Sequence, residues 1–219
     1  SKFARGDAVE IITPSLVRRE PRCTYAHPRG CGGCDFQHVD PTYQRELKAS
    51  VIKEQFARVA KMEIDVTVEE VKPIVHWRTR MDFTVSENRR LALFGSRSHE
   101  RIEIESCQIA DTAIDIAAIN AQKLPIGGKI HVAVDESGKS TIDIEGRESR
   151  SLLSQRVGSQ EFSLAPRSFW QSHKSAPEVL SSVVREFARA KDGDHIFDLY
   201  GGVGLFTAAL HSQVGAGGR

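Results

Sequence analysis

Four cysteines are the residues of this sequence best suited to metal chemistry. Cys23, Cys31 and Cys34 stand close together in a segment rich in glycine and proline, and Cys107 follows much later in the chain. Thiolates are soft ligands that suit iron–sulfur clusters or zinc. A structural zinc site usually takes two close pairs of ligands, whereas here a triplet is followed by a distant single residue. The spacing favours a 4Fe–4S cluster bound by all four cysteines, with zinc, two disulfides or no metal as alternatives.

A glycine-rich turn near the end of the sequence has the pattern of a nucleotide-binding loop. The apolar run at residues 195–200 predicts a short buried strand, and Asp198 is followed by Gly202 and Gly204. Glycines let the backbone approach a ligand, and the following helix offers its first N–H groups. No Gly-Lys-Ser/Thr follows, which excludes a P-loop, and Thr207 stands at the third glycine position of a dinucleotide fingerprint. The alternative is a strand-to-helix turn without a ligand.

Basic side chains crowd into a short segment that begins at Trp77. Arginine forks suit phosphate groups, and an aromatic ring can stack on a nucleobase. The segment is therefore a candidate RNA-contacting surface, with Trp77, Arg78 and Arg80 as the predicted contacts, and a solvated charged face is the alternative. Its basic members are Arg78, Arg80, Arg89, Arg90, Arg97, His99 and Arg101.

Taken together, these groups of residues resemble the bacterial tRNA/rRNA (uracil-5-)-methyltransferase family. The matching stretches occur in the family's order and extend over residues 8–219. The cysteine pattern is the most specific of them, and the glycine turn becomes specific only in its company. The stretches are residues 21–23, 31–38, 77–80, 107–110, 168–171 and 198–204.

The resemblance implies two cofactors, a 4Fe–4S cluster and S-adenosylmethionine, and RNA (tRNA or rRNA) as the partner. It implies that Gln171 and Tyr200 contact S-adenosylmethionine and that Gly202 and Gly204 line the cofactor turn, with Asp198 in the same motif. It also implies a monomer when the protein is complete.

The family's chemistry needs a residue that this sequence does not supply. C5 of uracil is a poor nucleophile, so a cysteine thiolate adds to C6, C5 takes the methyl group, a base removes its proton and the cysteine leaves. All four cysteines are assigned to the cluster, so no catalytic residue is predicted here. We expect a fragment whose nucleophile and base lie beyond its C-terminus. A non-catalytic iron–sulfur RNA-binding module and a redox iron–sulfur protein are the alternatives.

The elements that must position these residues predict two fold classes in succession. Helix, strand, glycine loop and helix follow one another near the end, which predicts the start of an α/β domain. The resemblance implies that this is a Rossmann-like methyltransferase domain and that an α+β central iron–sulfur domain precedes it. The resemblance adds a TRAM-like β-barrel, whose tail is residues 1–20. The central domain is then residues 21–165, and the truncated methyltransferase domain is residues 166–219.

Local patterns predict the individual elements. Asp40-Pro41 is typical of a helix start, and that helix should run to about Lys61. Ser175 and Glu178 have the spacing of a capping box that opens a later helix, and a last helix should begin at Leu205. Strands are expected at residues 8–12, 66–71 and 102–105, hairpins at 81–93 and 129–144, and a short helix at 109–121.

Composition excludes several classes of protein. The chain has 219 residues, of which 40% are hydrophobic and 27% are charged, which is typical of a globular protein. No run approaches the length of a membrane span, and nothing near the first residue is typical of a signal peptide. We therefore expect a cytoplasmic protein. The net charge of +1 indicates that any affinity for RNA comes from a local patch.

Overall fold

The computed structural model describes residue 6, residues 8–147 and residues 149–219. The chain divides into two compact units. The first contains the residues up to Glu70 together with Ala92–Ile104, and the second contains Val71–Leu91 and Glu105–Arg219. Residues 1–5 and 7 of the predicted barrel tail lie outside the described residues.

The first unit is built around one long helix, α1 (Pro41–Gln55), which continues as a π-helical turn at Phe56–Ala60. Asp40 is its N-cap as predicted, because its carboxylate accepts from the backbone N–H of Thr42 at 2.8 Å. That hydrogen bond is the main cause that lowers the pKa of Asp40. The helical run ends at Lys61, so the predicted length is confirmed.

Two strands predicted for this part of the chain do not form. Residues 8–12 and 66–71 are irregular, and Val9 and Ile12 are exposed. Alternating apolar residues make a strand only when a neighbouring strand takes up their backbone groups. Here the regular pairing is β2 (Leu91–Phe94) with β3 (Arg101–Glu103), antiparallel.

The second unit contains a twisted set of three antiparallel strands. These are β1 (Arg80–Val85), β4 (Lys129–Val134) and β5 (Ser140–Ile144), with β4 between the other two. Met81, Phe83 and Val85 are buried on one face of β1, as their alternation predicts. The opposite face is polar and includes Arg80 and Asp82. The two predicted hairpin turns, after β1 and between β4 and β5, are confirmed.

Helix α2 (Ile116–Asn120) is shorter than the predicted helix at 109–121. The carboxylate of Asp111 accepts from the N–H of Ala113, and that of Asp115 accepts from the N–H of Ala118. These local bonds hold residues 109–115 in turns and place the helix start after Asp115.

A second layer of this unit combines a hairpin with two helices. Strands β6 (Leu153–Val157) and β7 (Gln160–Leu164), which sequence patterns did not predict, pair antiparallel. Helix α3 spans Ala176–Ala188, and helix α4 spans Leu205–Val214. Val157, Phe162, Leu164, Trp170 and Leu205 form a buried apolar cluster that joins the hairpin to α4. Among the described residues, no helix is long and apolar enough to cross a membrane.

Helix α3 begins at the predicted place but without the predicted capping box. Ser175 is the N-cap, yet its hydroxyl donates to the carbonyl of Lys72 at 2.7 Å. Glu178 instead accepts from the N–H of Gly158 at 3.0 Å. The spacing therefore predicted the helix start correctly, but the side chains of Ser175 and Glu178 bond to neighbouring segments of the unit.

The buried strand predicted at residues 195–200 is wrong for this structure. The segment is irregular and ends in a turn, and Phe197 and Leu199 are 84% and 78% exposed. A strand of a parallel sheet is buried only when strands and helices cover it on both sides. The described backbone bonds here run from Ile196 N–H to the Arg219 carbonyl and from Arg219 N–H to the Asp194 carbonyl.

Candidate functional site

The glycine turn before α4 has the backbone that a ligand-binding loop requires. Gly202 and Gly204 have φ angles of 57° and 82°, in the left-handed region that favours glycine. A Cβ on either residue would meet no atom closer than 3.9 Å, so the space beside the turn is open. Tyr200, with φ of 66°, carries a fully exposed ring next to this space. The turn therefore has room for a ligand against its backbone.

Asp198 shapes this turn from within. Its Oδ2 accepts from the Thr207 hydroxyl at 2.7 Å and from the Thr207 N–H at 3.1 Å, so it caps the first turn of α4. A Cβ at Gly201 would lie 3.1 Å from the same oxygen, which explains the glycine there. Thr207, the departure from the dinucleotide fingerprint, is thus the partner that fixes the carboxylate. In this structure one carboxylate oxygen of Asp198 is used to hold the turn.

Gln171 follows a residue that packs close to the same turn. It follows Trp170, which is buried and packs against Phe162 with ring centroids 5.1 Å apart. Trp170 and Leu205 belong to one apolar cluster, and Val203 packs against it. Trp170 therefore shares a cluster with Val203 and Leu205, the two residues that flank Gly204. The shared cluster thus places Trp170 near the turn, and Gln171 follows Trp170 directly in the chain.

A pocket in the second unit lies beside the apolar cluster and is bordered by Leu205. It has a volume of about 250 Å³ and is lined by the β6–β7 turn, α3 and α4, including Phe162, Ser181 and Arg185. None of the predicted cofactor residues lines it.

The cysteine triplet lies on a loop of the first unit that is held by backbone bonds. Cys31 forms an isolated bridge with Gly95, and the N–H of Gly32 donates to the carbonyl of Phe94. The N–H of Gly33 donates to Cys31 Sγ at 3.3 Å, the kind of bond that surrounds cluster sulfurs in iron–sulfur sites. The loop therefore supplies suitable donor chemistry for a cluster.

No assembled metal site is seen among the described side chains. Cys23, Cys31, Cys34 and Cys107 are all half-buried, and no disulfide involves them. The part of the chain that the structure describes contains no group of three or more Cys, His, Asp or Glu side chains close enough to hold a metal ion. The residue types suit a 4Fe–4S cluster, and the assignment of the four cysteines as its ligands stays a prediction.

The three predicted RNA contacts differ in accessibility. Trp77 is half-buried and stacks on His173, with ring centroids 5.3 Å apart and planes 14° from parallel. The guanidinium carbon of Arg78 lies 5.9 Å from the centre of the Trp77 ring. Arg80 is only 6% exposed, and its Nη1 donates to the carbonyls of Pro166 and Ser168. Trp77 and Arg78 are therefore better placed for RNA than Arg80.

The other basic residues of that segment belong to different parts of the chain's fold. Arg89 donates to the carbonyl of Leu124, and Arg90 lies 3.3 Å from Glu105. The remaining three, Arg97, His99 and Arg101, belong to the first unit.

Sequence patterns missed two histidines with defined roles in the second unit. His173 stacks on Trp77, and its Nε2 lies 3.1 Å from the carbonyl of Pro73. His131 lies between Asp82 and Pro166. Its Nδ1 is 2.7 Å from Asp82 Oδ1, and its Nε2 is 2.8 Å from the Pro166 carbonyl oxygen. The alternation of β4 placed His131 on the polar face, but no local pattern identified what it would contact.

Curated relatives align with nearly the whole chain. An uncharacterized RNA methyltransferase of Streptomyces coelicolor is 33% identical over 98% of the chain and 56% of its own length. One of Streptomyces avermitilis is 31% identical over 98% of the chain and 59% of its own length, and one of Corynebacterium diphtheriae is 32% identical over 97% and 57%. The chain thus spans somewhat more than half the length of these relatives. No protein-family model matches it.

One solved structure has a similar fold. The tRNA (uracil-54, C5)-methyltransferase of Pyrococcus abyssi, in complex with S-adenosyl-L-homocysteine, superposes with a TM-score of 0.63. The match covers 92% of this chain and 58% of that one, at 17% identity. At this identity the match is evidence for the fold, and together with the curated relatives it supports the predicted relation to methyltransferases.

Proposed function

We propose that this chain acts in the methylation of uridine at C5 in RNA, with S-adenosylmethionine as the methyl donor. The main support is that proteins named RNA methyltransferases align with 97–98% of it. The similarity to a tRNA uracil-C5 methyltransferase fold supports the choice of atom. Either tRNA or rRNA is the substrate; the name of the structural neighbour favours tRNA.

The turn before α4 is the proposed cofactor site. The open space at Gly202 and Gly204, with the first N–H groups of a helix behind it, suits a charged nucleoside derivative. Gln171 and Tyr200 supply an amide and an aromatic ring at its border. Asp198 keeps the turn in shape through Thr207 and has a second carboxylate oxygen in the same neighbourhood.

The proposed RNA surface is centred on Trp77 and Arg78. A half-buried indole can present its accessible part to a nucleobase, while the adjacent guanidinium serves a phosphate. Arg78 also donates from Nε to the carbonyl of Arg80 at 3.1 Å, which limits the positions that its guanidinium can take. Such preorganisation lowers the entropy lost when RNA binds.

We also propose that Cys23, Cys31, Cys34 and Cys107 hold a 4Fe–4S cluster. This assignment rests on their type and spacing and on the bond from the Gly33 N–H to Cys31 Sγ. A cysteine that ligates iron cannot also add to C6 of uracil, so the chain contributes no nucleophile of its own to the reaction. Its roles are to bind the methyl donor and to position the RNA.

The proposal can be tested with protein expressed from the complete reading frame that contains this chain. Total RNA is incubated with S-adenosylmethionine that carries a tritiated methyl group, and the labelled RNA is digested to nucleosides. Tritium should appear in 5-methyluridine. RNA binding without methyl transfer would instead favour a non-catalytic RNA-binding module, and label in another nucleoside would contradict the uracil-C5 assignment.

A pair of matched substitutions tests the cofactor turn itself. Gly204→Ala and Gly138→Ala place a methyl group at nearly equal positive φ angles, 82° and 80°, so both cost about 1–2 kcal/mol of backbone strain. Gly138 lies in the β4–β5 turn, with no atom within 4 Å of an added Cβ. Only Gly204→Ala should weaken binding of S-adenosylhomocysteine in calorimetry. Equal effects would contradict this location of the site.

A further inference from the structure

The segment that joins β7 to α3 has no regular structure, yet it is fixed at both ends. Residues 166–168 receive hydrogen bonds from β1 and β4, and residues 172–174 pair with residues 77–79. Between these two attachments lie only Phe169, Trp170 and Gln171. A short stretch held at both ends has few conformations, so the attachments decide where these three side chains lie.

The first attachment is a row of polar residues across three strands. Asp82 on β1 is the direct partner of His131 on β4, and His131 is the direct partner of Asp143 on β5. Directly opposed residues project from the same face of a sheet. The sheet therefore presents Asp82, His131 and Asp143 side by side to the segment at 166–168.

Each member of this row has a defined contact. His131 Nε2 lies 2.8 Å from the Pro166 carbonyl oxygen, which can only accept, so Nε2 carries the proton. His131 Nδ1 lies 2.7 Å from Asp82 Oδ1, which fixes the plane of the ring. Asp143 is 1% exposed, and its Oδ2 accepts from Arg167 Nε at 3.3 Å. Two successive residues of the segment are thus held by the row.

Arg80 reinforces the same attachment from β1. Its Nη1 donates to the carbonyl of Pro166 at 2.7 Å and to that of Ser168 at 3.1 Å, so Pro166 receives two donors. Its Nε and Nη2 are buried and find no partner among the described residues. Burial lowers the pKa of Arg80. A buried cation is costly, and here both described hydrogen bonds of its guanidinium go to the segment.

The second attachment holds the other end. Thr79 donates to the Ser172 carbonyl from its N–H at 2.8 Å and from its hydroxyl at 3.1 Å. The N–H of Lys174 donates to the Trp77 carbonyl at 2.9 Å. Thr79 and Arg80 are adjacent, so one strand end holds both sides of the stretch that contains Trp170 and Gln171.

We propose that Arg80 and the row formed by Asp82, His131 and Asp143 are positioning residues. Together they fix Trp170 and Gln171 beside the turn at Gly202–Gly204. The part that concerns Gln171 and the methyl donor rests on the proposed function. The part that concerns Trp170 does not. The proposal also assigns Arg80 to this attachment, in place of the direct contact with RNA that the sequence predicted.

The positioning can be measured without any ligand. The chain contains two tryptophans, Trp77 and Trp170, which give separate ¹⁹F NMR signals after labelling with 5-fluorotryptophan and can be assigned with Trp77→Phe. His131→Leu removes the donor to Pro166 and should broaden or split the Trp170 signal well below the unfolding temperature. The Trp77 signal should change less and serves as an internal reference.

Three further variants make this test specific. His131→Gln places an amide N–H near the position of Nε2 and should restore a single Trp170 signal. His211→Leu, an exposed histidine of α4, should leave both signals as they are. Asp82→Ala alters an 85% exposed side chain, so it should fold even if His131→Leu does not, and it should also split the Trp170 signal. An unchanged Trp170 signal in a folded His131→Leu or Asp82→Ala protein would overturn the proposal.

Binding of S-adenosylhomocysteine to protein from the complete reading frame tests the second part. We expect His131→Leu to raise the dissociation constant about tenfold and His131→Gln to raise it less than about threefold. Failure of the unsubstituted protein to bind would count against the proposed function and leave the ¹⁹F result standing. Equal affinity of His131→Leu and the unsubstituted protein would overturn the positioning of Gln171.

Discussion

Removal of the Asp198 carboxylate should loosen the start of α4 by a predictable amount. Asp198→Ala deletes the acceptor of two hydrogen bonds, at 2.7 Å from the Thr207 hydroxyl and 3.1 Å from its N–H. Loss of an N-terminal cap costs about 0.5–2 kcal/mol of stability. Because Asp198→Ala removes two hydrogen bonds, we expect a cost in the upper half of that range, about 1–2 kcal/mol. That free energy corresponds to a roughly 5–30-fold increase in the population that opens locally.

Amide hydrogen exchange measures this opening directly. Amides of residues 205–208 should exchange about 5–30 times faster in Asp198→Ala, while amides of β4 keep their rates. Thr207→Val removes the hydroxyl and keeps the N–H bond, so its effect should be smaller, and Asp198→Asn keeps an acceptor and should lie closest to the unsubstituted protein. Unchanged exchange at residues 205–208 in Asp198→Ala would refute the role of Asp198 in shaping the cofactor turn.

Three other predictions follow from the proposed sites. Anaerobically purified protein should be brown and contain about four iron atoms per chain, whereas stoichiometric zinc without iron would contradict the cluster. Arg78→Ala should weaken RNA binding and reduce by about 1 the slope of the logarithm of the binding constant against the logarithm of the salt concentration. Arg80→Ala should mainly lower the melting temperature. An unchanged slope in Arg78→Ala would assign Arg78 to a solvated face. The chain of residues 1–219 with an intact cluster should transfer no tritiated methyl group to uracil-containing RNA, and measurable transfer would show that one of its cysteines is not a ligand.

Local chemistry made several elements of the fold predictable from sequence. Asp40-Pro41 marks a helix start because caps act within a few residues. Ser175 also stands at a helix start, although its side chain makes no cap bond there. The hairpins of β1 and of β4–β5 followed from alternation around short turns. The glycine turn before α4 was predictable because positive φ angles at Gly202 and Gly204 need residues without a Cβ.

Features that depend on distant partners were not predictable in the same way. The strand expected at residues 195–200 depends on neighbouring strands that its own apolar run cannot supply. Arg80 resembled a surface arginine because its acceptors, Pro166 and Ser168, lie far along the chain. The alignment of Asp82, His131 and Asp143 depends on the register of three strands. A one-residue shift would place His131 on the opposite face.

The most direct test of the central claim is a comparison of RNA from cells with and without the gene. RNA from the deletion strain, digested to nucleosides and analysed by mass spectrometry, should lack 5-methyluridine at one position of tRNA or rRNA. A plasmid copy of the complete reading frame should restore it, and a copy with Gly204→Ala should restore less than a copy with Gly138→Ala. Unchanged 5-methyluridine at every position in the deletion strain would contradict the account.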